Sequence, residues 1–179
     1  MSAAAGLTFL TGGARSGKSR LAVEMGKSWP GPVGMIVTAR ADDDEMTERI
    51  ELHRAHRPES WTTVEAPEAL DDELTKLQED AFAIVDCLTL WVSNLLAVDL
   101  SDDEIDARAS AAVAAALARP SPVVVITNEV GSGIVPLNAL ARRYRDVLGR
   151  VNAAFSQAAA EAYLVVAGRL LRLELPDGR

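Results

Sequence analysis

The chain has a single cysteine, Cys87, and only two histidines, His53 and His56, in 179 residues. One thiol excludes an internal disulfide and fits a reducing cytosol. Two histidines three positions apart, with no cysteine cluster, do not make up the ligand set of a zinc site. Positive charge is also scarce. Eighteen Lys and Arg stand against 26 Asp and Glu, a formal net charge of −8, and sequence-independent nucleic acid binding needs the reverse balance. No apolar stretch is long enough to span a bilayer, and Met1 to Gly6 lacks the basic start and long apolar segment of a secretion signal. No repeat, low-complexity tract or linker interrupts the chain. What remains is a 49% hydrophobic sequence, enough for one α/β domain, residues 1–179, with a sizeable core.

Against these absences stands one dense motif. Gly12, Gly13, Ala14, Arg15, Ser16, Gly17, Lys18 and Ser19 spell G-x-x-x-x-G-K-S. The apolar run Leu7–Thr11 before it predicts a buried strand, and Arg20–Met25 after it predicts a helix. In that context backbone N–H groups and a helix N-terminus converge on phosphate oxygens. Gly12 and Gly17 permit an approach that a Cβ would block. Lys18 reaches the β- and γ-phosphates, and the Ser19 hydroxyl helps hold Mg²⁺.

Further strand-like runs recur at Val33–Thr38, Ala81–Asp86, Val123–Thr127 and Tyr163–Ala167, with helical patterns between them. Consecutive apolar residues fit strands covered on both faces. The fold class expected is therefore α/β: a P-loop NTPase domain of the RecA-like kind, with a mainly parallel sheet flanked by helices. Gly168 followed by Leu170–Leu175 predicts an antiparallel edge hairpin. Ser101 with Glu104 forms a capping box ahead of the alanine-rich Ala107–Ala118, which Pro120 and Pro122 end. The acidic Asp99–Asp106 stretch reads as a solvated helix start. Within Asn138–Ala160, the stripe Leu140, Tyr144, Val147, Leu148, Val151 and Phe155 reads as core.

Three places could carry chemistry besides the loop. Asp86 closes Phe82–Val85 and is placed for the magnesium side of a phosphate site, or as an N-cap for the helix starting near Leu88. After the second strand come Thr38, Ala39 and Arg40, then Asp43–Met46 opening a helix through Ile50 to His53 and His56. Periodicity alone makes His53 structural. Yet Arg49, Arg54 and Arg57 surround it and Arg40 precedes it, and arginines gathered within an acidic chain suit a phosphate ligand. A histidine among them could be a base or a nucleophile. Finally, Thr127–Pro136 forms a glycine-bearing loop in which Glu129 could orient water, metal or a substrate hydroxyl. It differs from the Asn-Lys-x-Asp element that reads guanine in switch GTPases.

Taken together, Thr11–Arg20, Thr38–Ile50, His53 with Arg57-Pro58 and Trp61, Glu65, Asp86–Leu96, Thr127–Pro136 and Ala141–Asn152 resemble the bifunctional adenosylcobinamide kinase / adenosylcobinamide-phosphate guanylyltransferase family of cobalamin biosynthesis. The resemblance spans almost the whole chain. The Asn-Glu-Val-Gly-x-Gly-Ile-Val-Pro loop and the histidine-bearing helix are its specific parts. It implies phosphorylation of adenosylcobinamide by ATP or GTP, then transfer of GMP from GTP through a guanylyl-histidine, with His53 and Lys18 as catalytic residues. It implies nucleotide contacts at Thr38, Ala39, Arg40, Arg54, Ala55, His56, Arg57 and Glu65, and Mg²⁺ at Ser19 and Asp86. It also implies a homo-oligomer, commonly a trimer. No compact corrinoid motif is visible, and Trp61, Trp91 and Tyr144 read as core aromatics. Two other readings compete. A single-function P-loop kinase would leave His53 unmodified, and a nucleotide-dependent switch would bind without turnover.

Overall fold

A computed structural model describes residues 6–40, 48 and 58–176. Seven strands form one sheet: β1 Leu7–Thr11, β2 Val33–Val37, β3 Thr62–Glu65, β4 Phe82–Asp86, β5 Val123–Ile126, β6 Glu161–Val166 and β7 Arg169–Leu173. Their order is β3-β2-β4-β5-β1-β6-β7. All pairs are parallel except β6 with β7, so the expected mainly parallel sheet with an antiparallel edge hairpin is present.

The helices among the described residues are α1 Lys18–Lys27, α2 Leu70–Lys76, α3 Leu88–Ala97, α4 Asp102–Leu117 and α5 Ala139–Ala158. Strands β1, β2 and β5 are buried at every position, because both faces of the sheet are covered. On one face, Ala22 and Met25 of α1 pack on Leu10, Met35, Ile84, Val124 and Tyr163. On the other, α2 to α5 set Leu70, Trp91, Ile105, Val147 and Phe155 against Phe9, Val85 and Val125. Burying side chains of this size contributes roughly 1.5–3 kcal/mol each, so the two layers fix α1 and the strand ends relative to one another.

The Ser101/Glu104 capping box forms in both directions and starts α4. The acidic start of α4 is used by α5: Asp102 accepts from Arg143 and Arg150, and Asp106 accepts from Arg150.

The sequence reading missed β3 and α2. β3 is a four-residue edge strand, Thr-Thr-Val-Glu, with three exposed positions, so it lacks the apolar run that marks the central strands. α2 is only seven residues long. Arg119 terminates it by donating to the carbonyls of Leu74, Leu77, Gln78 and Ala81, a contact no local pattern announces. One core assignment is corrected: Leu140 is 62% exposed, because it lies in the first turn of α5, beyond the reach of the neighbouring helices.

Candidate active site

The parallel strands β1, β4 and β5 bring their carboxyl ends to one edge, and the phosphate loop turns there from β1 into α1. Gly12 sits at φ +146°, and a Cβ on it would stand 2.2 Å from the Val165 carbonyl oxygen. Gly17 is the N-cap of α1 at φ +106°. Both positions therefore require the residue without a side chain. Lys18 is buried, 6% exposed, and its ammonium donates to the carbonyls of Gly12 at 2.9 Å and Gly13 at 2.8 Å. Burial lowers its pKa, while the nearby Asp86 carboxylate and Cys87 act in the opposite direction. The loop thus curls around its own lysine at the N-terminus of α1, the end where a helix has N–H groups without intrahelical partners.

Asp86 ends β4 and is half-buried. The N-cap of α3 is Cys87, with no side-chain cap bond, so Asp86 is not that cap. Thr38 fixes this junction. It is fully buried; its N–H donates to Asp86 O at 3.1 Å, its hydroxyl donates to Cys87 O at 2.7 Å, and Cys87 N–H donates back to that hydroxyl at 2.9 Å. Asn94 of α3 then donates to Thr38 O and Pro67 O. Burial, then the Asp86 charge, pushes the Cys87 thiol up to about 11, so it stays protonated and is a poor nucleophile.

β5 lies between β1 and β4, so its carboxyl end faces the space between loop and carboxylate. Glu129 N–H donates to Gly12 O at 3.2 Å. Thr127 is buried and donates to Asn152 of α5 at 2.8 Å. Asn152 donates to Asn128 O, and Asn128 N–H donates to the Thr89 hydroxyl. This network, shared by β5, α3 and α5, holds the strand end rigid. Beyond it, Glu129 to Leu140 run along the surface. Ile134 is 97% and Leu137 98% exposed, and Arg142 anchors the segment through the Pro136 and Leu137 carbonyls.

The structure therefore brings together Gly12 to Ser19, Thr38 and Asp86. Ala39 and Arg40 continue from Thr38 and are half-buried; Arg40 pairs with Glu68. Glu65 is exposed at the end of β3, beside Val37 in register. His53, Arg54, Ala55, His56 and Arg57, with Arg49 and the Asp43–Met46 opening, lie outside the described residues. The clamp by Asn94 and the Thr89–Thr127–Asn152 network were missed from sequence. Asn94 within the apolar helix Leu-Thr-Leu-Trp-Val-Ser-Asn-Leu-Leu-Ala was the available signal, since a buried amide must find partners.

A serine hydroxyl at the start of α1 and one carboxylate on the same sheet edge suit Mg²⁺, which keeps waters and takes other ligands from phosphates. The described residues contain no group of three or more His, Cys, Asp or Glu side chains able to hold a metal. No helix among the described residues is long and apolar enough to cross a membrane.

Comparison with known proteins bears on this edge. Residues 8–173 match a family model described as cobinamide kinase / cobinamide phosphate guanyltransferase. The bifunctional adenosylcobalamin biosynthesis protein CobU of Escherichia coli K12 is 43% identical over 176 residues, 90% of this chain and 96% of that protein. The corresponding CobP of Pseudomonas aeruginosa is 40% identical over 160 residues, 89% of this chain and 92% of that protein. Salmonella typhimurium CobU is 42% identical over 175 residues, covering 90% and 96%. Among solved structures, a Pyrococcus horikoshii OT3 protein superposes with a TM-score of 0.57 at 6% identity, covering 96% of this chain and 87% of that one. A type III secretion ATPase of pathogenic bacteria gives 0.52 at 10%, covering 89% and 50%. These two likenesses concern the fold alone.

Proposed function

This chain belongs to the cobinamide kinase / cobinamide phosphate guanyltransferase family, and from that premise we propose one catalytic domain, residues 1–179, that carries both reactions. It phosphorylates adenosylcobinamide with ATP or GTP and then converts the phosphate into adenosylcobinamide-GDP. The observation that carries the reading is the phosphate loop closed around Lys18 at the N-terminus of α1, with Asp86 near enough to shift the lysine's pKa.

In the first reaction the aminopropanol hydroxyl of adenosylcobinamide attacks the γ-phosphorus and gives up its proton to solvent. The bond from that phosphorus to the β,γ-bridging oxygen breaks, and the nucleoside diphosphate leaves with the electron pair. Lys18 and the amides of Gly13 to Ser19 hold the phosphates and stabilise charge on the leaving oxygens. The Ser19 hydroxyl and Asp86 would hold Mg²⁺, which would supply further neutralisation of phosphate charge.

In the second reaction an imidazole nitrogen of His53 attacks the α-phosphorus of GTP and pyrophosphate leaves. A phosphate oxygen of adenosylcobinamide phosphate then attacks the phosphoramidate, the P–N bond breaks, and His53 is regenerated. Splitting the transfer into two displacements is the gain from covalent catalysis. Arg54 and Arg57, with Ala55, His56, Ala39, Arg40 and Glu65, belong to the nucleotide-contacting set. The buried, fully bonded Thr38 acts by fixing the Asp86–Cys87 junction.

The reading extends to a cytoplasmic homo-oligomer, a trimer by family resemblance. The nearly bare Ile134 and Leu137 support it, as do Leu171 at 60% exposure and Leu175 at 50%, since apolar surface of this kind is expensive on an isolated subunit.

Intact mass spectrometry after incubation with GTP and Mg²⁺, with pyrophosphate removed, tests the transferase. An acid-labile GMP adduct is expected on the wild-type chain and not on His53→Ala, which should retain the kinase step. An unmodified wild-type chain under trapping conditions would favour a simple kinase.

A further inference from the structure

In the sheet order, β1 lies between β5 and β6, so the phosphate loop has a different neighbour on each side. Toward β5, and one strand farther at the end of β4, stands Asp86. Toward β6 stands the turn of the β6–β7 hairpin. Ala167 at φ +49° and Gly168 at φ +77° form that turn, the positive angles that a tight two-residue hairpin needs. The turn is seated on the loop. Gly168 N–H donates to Ser16 O at 2.8 Å, and a Cβ on Gly17 would lie 3.4 Å from Gly168 Cα. The Arg20 guanidinium lies 3.3 Å from where a Gly168 Cβ would stand, and the Val165 carbonyl occupies the side-chain position of Gly12.

A phosphate loop gives its triphosphate a direction. The lysine and the metal-side carboxylate take the γ end, and the loop amides take the α- and β-phosphates. Here the carboxylate, Asp86, ends β4, on the β5 side of β1. The γ-phosphate therefore points toward β4 and the nucleoside leaves on the opposite side, over the β6–β7 turn. We propose that this turn is the wall against which the ribose and purine of the phosphate-loop nucleotide lie. Val166 and Arg169 are the last cross-strand pair before the turn, and both are exposed. They offer an apolar surface and a planar guanidinium, with Arg20 at the inner side. A guanidinium stacks on any purine face without reading its edge, so this wall serves either ATP or GTP as phosphoryl donor.

The proposal rests on the phosphate-loop reading above, and two probes separate them. Titration calorimetry of the full chain with Mg²⁺ compares ATP with inorganic tripolyphosphate, which has the phosphates and no nucleoside. The double variant Val166→Ser/Arg169→Ala should raise the ATP Kd about tenfold, the scale of one or two lost contacts of this kind, and leave the tripolyphosphate Kd within about twofold. Unchanged ATP binding, or equal weakening of both probes, overturns the assignment of the wall. Lys18→Ala should weaken both probes alike. If it leaves both bound, the phosphate-loop reading fails and takes this proposal with it, a result distinct from failure of the wall alone.

Discussion

Two glycine-bearing loops leave the same edge of the sheet after buried strands, and they are built in opposite ways. In the phosphate loop, Gly12 and Gly17 hold left-handed angles, and the Gly12 side-chain position is filled by a neighbouring carbonyl. In the Thr127–Pro136 loop, neither Gly131 nor Gly133 has a positive φ, and among the described residues nothing lies within 4 Å of a Cβ placed on Gly133. Ile134 within it and Leu137 just after it are 97% and 98% exposed. The first loop's composition is explained from inside the chain. The second loop's composition is not, since its apolar Ile134 is left almost bare.

The comparison can be broken in several places. Lys18→Ala should lower kinase turnover on the order of 10³-fold, about 4 kcal/mol of transition-state stabilisation, read from initial rates at saturating nucleotide. Turnover near wild type would remove the functional half of the contrast. Gly12→Ala should cost about 2–4 kcal/mol of folding stability, from the clash with the Val165 carbonyl and the left-handed backbone together. Urea denaturation reads this, and a loss below ~1 kcal/mol would show that the loop gives way as easily as an exposed turn.

Between the two loops, Cys87 supplies a pH-dependent test. Its thiol rises from the ordinary 9.0 to about 11 in the folded chain. The unfolded thiol therefore loses its proton first. The contribution is complete below pH 9 and is lost as pH rises through about 11, some 2–3 kcal/mol in all. Stability curves at pH 8 to 11 should fall more steeply for wild type than for Cys87→Ala. Tyr144, raised from 10.0 to about 12, acts in the same direction but is common to both chains, so parallel curves would show the thiol to be hydrated. The smallest effect on folding belongs to the exposed loop. Ile134→Ser/Leu137→Ser should change stability by no more than ~0.5 kcal/mol yet lower the mass seen in sedimentation equilibrium. A large stability loss with unchanged mass would mean that the loop folds onto its own subunit.

What could be read from the residues in order was whatever is local. The phosphate loop between strand and helix, the apolar central strands, the Ser101/Glu104 cap and the hairpin after Gly168 each carry their cause within about ten residues, as a period, a capping pair or a turn. The matching segments also identified the family, because they recur in a fixed order along the chain. Strand order had no such local cause. That β5 separates β1 from β4, placing Asp86 on one side of the loop and the β6–β7 turn on the other, depends on which buried faces pair across more than a hundred residues. The same holds for Thr38, whose hydroxyl is used up by Cys87, for Asn94, which reaches back to Thr38 and Pro67, and for Leu140, where the packing stops one turn short of the helical stripe. Periodicity says which side of an element is apolar. Only the assembled layers decide whether another element is there to cover it.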